Sequence, residues 1–314
     1  MMYRKIIFLA ACLLTVTAVR ADHSILSVGV RGGGACHVDF NASTLNLPSG
    51  AGMLDINFTK LWCTANQHDG FGIRTGINIG FAATNNRTGI IRDDFVKKDI
   101  PFYVVAEKKT VVTDIYYTTQ TRGNETMRQL QVEVPLMFAM RKKHLTMGIG
   151  AKLMVPIWSE YQTQINTADT HITADIRQFG VTTTDELATG KMTDDAKGLS
   201  GRNCAPRLNV LFAFDIGYEW KLKNNRLIGL GAFLDFAPWS SYTSNRDKQH
   251  FIRIDFVPST ETYTPPARVS CQPLHEATMS RMLYLDFGVR FYYAFQHTDY
   301  KQIYKPLRLY RYRR

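Results

Sequence analysis

Histidine changes charge nearest neutral pH, so acid–base chemistry is sought first among the eight histidines of this 314-residue chain. They are His23, His37, His68, His144, His171, His250, His275 and His297, and they are scattered. His171, with Asp169 and Asp175, is the one cluster worth naming. A hydrolase needs such groups brought together with a nucleophile or an activated water. At this loop-like spacing the cluster reads as a solvated patch. Four cysteines follow the N-terminal segment, Cys36, Cys63, Cys204 and Cys271. None has a C-x-x-C partner, which disfavours zinc and redox sites. No metal motif and no phosphate-cradling loop is present. The chain therefore reads as a non-enzyme that needs no cofactor.

The remaining chemistry is ionic and depends on which way the charges point. Period-two alternation dominates the chain. Over 208–220, Leu208, Val210, Phe212, Phe214, Ile216, Tyr218 and Trp220 form one face. Asn209, Leu211, Ala213, Asp215, Gly217 and Glu219 form the other. A strand separates two such sets, whereas a helix mixes them. The pattern recurs over 71–83, 130–140, 145–157, 228–236 and 283–295, and more weakly over 26–32 and 54–62. The faces opposite the apolar ones mix glycine with charge, including Arg31, Arg74, Glu133, Lys152, Asp215, Glu219, Asp235, Asp286 and Arg290.

Eight strands are expected near 25–36, 51–63, 71–84, 129–141, 144–158, 207–221, 226–239 and 282–296. Their connections alternate short and long, with 64–70, 142–143 and 222–225 short and 85–128, 159–206 and 240–281 long. Apolar strands of about ten residues match a tilted bilayer crossing, and in lipid a sheet must close on itself. The expected fold is all-β: a transmembrane antiparallel up-and-down barrel of about eight strands with long extracellular loops. A ten-strand version follows if 100–107 and 110–120 cross the membrane as a hairpin through Lys108-Lys109, but their mixed faces favour a hairpin standing above it. Trp62, Trp158, Trp220 and Trp239 fall at expected strand ends, where an aromatic girdle would lie.

Residues 1–21 read as a secretory signal peptide, with Arg4 and Lys5 ahead of the apolar stretch Ile6 to Val16 and Val19-Arg20-Ala21 at the cleavage site. Residues 22–296 are the expected barrel, and 297–314 a basic periplasmic tail. The formal charge is +11. The tail carries Lys301, Lys305, Arg308, Arg311, Arg313 and Arg314 against one acid, Asp299, so the body is close to neutral. That balance excludes a nucleic-acid partner for an exported chain.

Three stretches resemble the outer-membrane β-barrel proteins of Bacteroidales, the group with the small PorT-like barrels. They are Gly70 to Gly80, the hairpin Leu130-Gln131-Val132-Glu133-Val134-Pro135-Leu136 with Met147 to Pro156, and Phe214 to Leu222 with Gly229 to Phe236. The resemblance covers about a third of the chain and implies an outer-membrane location. Some members carry an OmpA-type peptidoglycan-binding domain after the barrel. This chain has 18 residues after its last expected strand, so that function is not carried over. The family has no shared catalytic residues to transfer.

Within the barrel, Glu133 is expected to face Lys152 directly, with Met140 opposite Leu145, and Asp286 and Arg290 to line the same inward face. Buried charges need partners. They would form either a self-satisfied plug or a selectivity-lined channel, and eight strands leave room for little more than side chains. Cys204 and Cys271 sit in adjacent external loops and could join in a disulfide. Cys36 and Cys63 are expected at opposite strand ends, beyond disulfide reach. The functional reading is a structural or accessory envelope component, embedded in outer-membrane lipid. It would touch another envelope protein or the cell wall through its loops and basic tail. A narrow passive pore is the alternative, and a loop-borne rim enzyme a distant third.

Overall fold

A computed structural model describes residues 23–39, 45–63, 69–104, 108–184, 198–202, 208–238, 250–256, 267–277 and 282–298, and structural statements refer to these. The expected signal peptide, Cys204, Trp239 and the tail from 299 onward lie outside them.

Eight strands close a ring: β1 (His23–Asp39), β2 (Leu45–Cys63), β3 (Gly70–Arg87), β5 (Lys109–Lys142), β6 (Leu145–Ile176), β9 (Asn209–Lys221), β10 (Arg226–Ala237) and β13 (Met282–Thr298). Each pairs antiparallel with the next, and β13 pairs back to β1 from His23↔Thr298 to Asp39↔Met282. The expected all-β antiparallel barrel of eight strands is the fold. The two inner-end turns among the described residues, after β5 and after β9, are tight. Asn224 and Asn225 both take left-handed backbone, the geometry that suits a two-residue hairpin.

Alternation decides the two surfaces. Leu26, Val28 and Val30 on β1, Leu136, Phe138 and Met140 on β5, and Phe212, Phe214 and Ile216 on β9 all stand exposed on the outside. On β13 the outward row Phe287, Val289, Phe291 and Phe295 is exposed as well. Its eight steps span about 26 Å along the strand, or about 20 Å in height at a usual tilt. A water-soluble monomer does not carry so continuous an apolar belt. The intervening residues turn inward, Arg31, Asp55, Arg74, Glu133, Lys152, Asp235, Asp286 and Arg290 among them, and are buried.

Two strands run far past the expected limits. β5 begins at Lys109 and β6 continues to Ile176, so much of the two connections expected to be long loops is sheet. β4 (Ile91–Val104) pairs with β5 on one side of this extension. β7 (Val181–Thr184) and β8 (Gly198–Arg202) pair with β6 on the other. The hairpin expected to stand above the membrane is therefore β4 with the outer part of β5, and it adds no strand to the ring. A separate two-stranded sheet, β11 (Ile252–Phe256) with β12 (Ala267–Cys271), packs on the extension and is followed by one turn of helix, α1 (Leu274–Ala277). Ile115, Tyr117, Ile165, Ile172 and Ala174 from the extension meet Phe251, Ile252, Ile254, Val269 and Leu274 in a second apolar core. We call this assembly the cap. The free edge of β4 carries Lys97, Lys98, Pro101 and an irregular register between Lys97 and Ile100, features that discourage edge pairing.

Candidate functional site in the lumen and the cap

The lumen is layered. At its outer end Ala35, Ala82, Met154, Leu211, Ala237 and Tyr284 form an apolar layer. Ile25, Leu61, Ala139, Leu227, Tyr292 and Ala294 form another at the inner end. Between them lies the charge that the alternation turned inward, because hydrocarbon-facing positions cannot hold it.

Arg31 is the hub. Its Nε donates to Asp55 at 2.9 Å, Nη1 to Asp235 at 3.0 Å and Nη2 to Glu133 at 2.7 Å. Lys152 donates to the same Asp235 oxygen and lies 3.9 Å from Glu133. Glu133 also accepts from Asn78 at 3.3 Å and Gln131 at 2.9 Å. Arg74 grips Asp215 with one nitrogen, at 2.9 and 2.7 Å from its two oxygens. Nearer the inner end Arg141 meets Glu219 at 3.0 Å, and the Tyr292 hydroxyl donates to Glu219 at 2.6 Å. Arg290 reaches the second oxygen of Asp55 at 3.4 Å. Cavities of about 20 Å³ and about 10 Å³ remain within these side chains, space on the scale of single waters.

Two expectations are corrected here. Glu133 does not face Lys152 directly. The observed register pairs Glu133 with Met154 and Pro135 with Lys152, because the turn is tighter than supposed, with Lys142 opposite Leu145 and only two residues between. Lys143 takes left-handed backbone there, and its N–H donates to Asp69 at 2.9 Å. Asp286 and Arg290 share the inward face but are not each other's partners. Four strand residues span about 13 Å, and Arg290 turns to Asp55 instead. Asp55 and Arg141 were missed, although the alternation of 54–62 places Asp55, Asn57 and Thr59 on one face.

The cap is tied to the barrel by one buried carboxylate, Glu125 on β5. It accepts from the backbone N–H of Leu274 at 2.8 Å and of His275 at 3.1 Å, and from the Thr163 hydroxyl. His275 Nδ1 lies 3.1 Å from both of its oxygens. Below it the inward row of β5 descends through Gln129 and Gln131 to Glu133, with Gln129 donating to Gln131. The cap and the charge layer thus share one strand face. At the side of the cap a cavity of about 340 Å³ lies between β4 and β11, floored by Phe95, Ile252 and Ile254 and rimmed by Lys97, His250, Arg253 and Gln272.

Among the described residues, Asp169 and Asp175 turn to partners other than His171. Asp169 faces Arg122 and Asn166, at 3.5 and 2.8 Å. Asp175 faces Arg177 and Thr182, at 3.4 and 3.5 Å. Cys36 and Cys63 stand toward opposite ends of β1 and β2, as expected. Cys271 is buried at the end of β12, and its expected partner Cys204 lies outside the described residues.

No protein-family model matches the chain, and no curated protein sequence does. Among solved structures it is similar to Ail, the attachment invasion locus protein of Yersinia pestis, solved with the heparin analogue sucrose octasulfate. The identity is 8%, the TM-score 0.28, and the match covers 88% of this chain and 100% of that one. It is also similar to the translocator domain of the autotransporter NalP from Neisseria meningitidis, at 6% identity and TM-score 0.18, over 93% of this chain and 94% of that one.

Proposed function

We propose that the protein is a non-enzymatic outer-membrane barrel serving as a structural or accessory component of the cell envelope. Its cap makes the external contacts, and the basic tail with Lys301, Lys305, Arg308, Arg311, Arg313 and Arg314 makes those on the periplasmic side. One observation carries this reading: the lumen is filled by ion pairs between two apolar layers, while the outer ends of β5 and β6 build a folded body with its own core. Such a chain invests its sequence in a surface above the barrel rather than in a passage through it. The exposed apolar belt supports residence in lipid, and the resemblance of the Leu130–Leu136 hairpin supports kinship with the barrels of Bacteroidales. The test is cross-linked copurification from native membranes. External partners should be lost when Lys97 and Arg253 are both replaced by glutamate, and periplasmic partners when the tail is removed. An unchanged partner set in both variants would overturn the reading.

A narrow pore is the second reading, favoured by the charged lumen itself. In planar bilayers the purified barrel should give no discrete conductance. Steady unitary currents that change when Lys152 is replaced by glutamate would establish the pore instead.

A further inference from the structure

The buried charges of the lumen do not balance. The cations are Arg31, Arg74, Arg141, Lys152 and Arg290, and the carboxylates are Asp55, Glu133, Asp215, Glu219, Asp235 and Asp286. Every carboxylate but Asp286 has an ion-pair partner among these cations. Asp286 is 1% exposed, and its Oδ1 accepts no hydrogen bond among the described residues. The register makes its position worse. Asp286 pairs directly with Asp235 across β13 and β10, and both point inward. Like charges at that spacing repel, and an uncompensated buried charge is costly. Oδ1 of Asp235 is likewise unpartnered. One carboxylate oxygen from each of Glu133, Asp235 and Asp286 lies within 4.8 Å of the others. Two cation–oxygen bonds of about 2.4 Å bridge that distance.

We propose that Glu133, Asp235 and Asp286 form a site for one monovalent hard cation of sodium size, buried inside the barrel. Oxygen-only donors select a hard ion. Charge selects a single one: Arg31 and Lys152 already offset two of the three carboxylates, so one added positive charge completes the balance. A divalent ion would leave an excess positive charge where the surroundings solvate it poorly. The ion would tie β5, β10 and β13 together at mid-lumen.

The test is the temperature at which the folded full chain in detergent loses its compact gel mobility. It is measured at fixed ionic strength and pH 8 as choline chloride is replaced by sodium chloride. Choline is too large for the site. The midpoint should rise saturably with sodium, on the order of 3 °C at tenfold the half-saturating concentration. Asp286→Asn should lose this response and melt in choline no lower than the unmodified chain. ²³Na line broadening by the unmodified protein, reversed by excess lithium, is a second measurement that needs no variant. A midpoint indifferent to sodium, a response only to calcium or magnesium, or a sodium response that persists in Asp286→Asn would overturn the site. A midpoint that ignores sodium and rises as the pH falls would assign the balancing charge to a proton, which also overturns it.

Discussion

Arg31 and Glu133 meet across the lumen, Nη2 to Oε2 at 2.7 Å, from strands that are three places apart in the ring. The contact spans the interior rather than a neighbouring ladder, so it ties opposite walls. Breaking a buried pair from one side leaves a charge without compensation and costs about 3–5 kcal/mol. The two sides are not equivalent here. Arg31→Met strips Asp55, Glu133 and Asp235 of a shared cation. Glu133→Gln keeps the shape and removes one charge from the side in excess. Arg31→Met should therefore lower the urea midpoint of the folded barrel markedly, and Glu133→Gln should lower it by less than half as much. Equal losses would show that the hydrogen bonds, not the charge, set the energy.

Glu125 separates the stability of the cap from that of the barrel. Its carboxylate is the shared acceptor for Leu274, His275 and Thr163. Glu125→Ala leaves two backbone N–H groups of α1 unsatisfied, at about 1–3 kcal/mol each while they stay buried. The cheaper outcome is for α1 to leave its seat. Limited trypsin digestion should then cut the variant within residues 240–281 while the barrel keeps its compact gel mobility. Cleavage at the rate of the unmodified chain would show that the apolar core of the cap holds the hairpin without this carboxylate.

The ring was legible because seven-position runs such as Leu208 to Trp220 keep one face for hydrocarbon throughout. The cap was not, and β5 shows why. Its odd-numbered residues face inward from Thr113 to Arg141 without a break. At mid-height that row is polar, with Gln129, Gln131 and Glu133 inside and Leu130, Leu136 and Phe138 outside. Higher up it holds Ile115 and Tyr117 inside, with Thr118 and Gln120 outside. The alternation along β5 never changes; the surroundings do. Hydrocarbon outside demands one polarity and water the opposite, so the alternation reverses its chemical sense and reads as mixed. β6 adds a second obstacle. The register shift opposite Leu130 and Gln131 makes Ile157 an extra residue, so inward positions pass from Lys152 and Met154 to Ser159 and Thr163. A second shift opposite Gln120 and Arg122 passes them back to Ile172 and Ala174. Each bulge flips every later side chain. The hub role of Arg31 was hidden for a different reason, since its partners Glu133 and Asp235 lie 102 and 204 residues away.

Tyr292 occupies its place because both neighbouring strands offer glycine. It pairs with Gly29 on β1 and with Gly229 on β10. A β-carbon on Gly229 would run into the Tyr292 ring, and one on Gly29 would strike its backbone and Cβ. Gly229→Val must push the ring aside and break its bond to Glu219, an overpacking change worth about 1–3 kcal/mol. The heat-conversion midpoint should fall. Adding Tyr292→Ala should recover part of the loss, because the added side chain then has room. A double variant no more stable than Gly229→Val alone would mean that the clash is absorbed elsewhere.

Tyr117 gives the cap a dependence on alkaline pH. It is buried against Phe95, with ring centroids 5.4 Å apart, within the apolar core of the extension. Burial penalises the phenolate and pushes its pKa well above the usual value near 10. As pH rises past that usual value, the phenol ionises where the cap is open and stays protonated where it is closed. The closed form then holds more protons, so its stability falls with rising pH, by about 1.4 kcal/mol per unit for this one group. The contribution is absent below pH 10 and grows until the folded pKa is reached. Tyr117→Phe should remove that slope. The check is the rate of trypsin cleavage after Arg253 and Arg268, on the two strands of the cap hairpin, measured against pH relative to a cap-independent substrate. A variant as sensitive to pH as the parent would place the alkaline response at another residue.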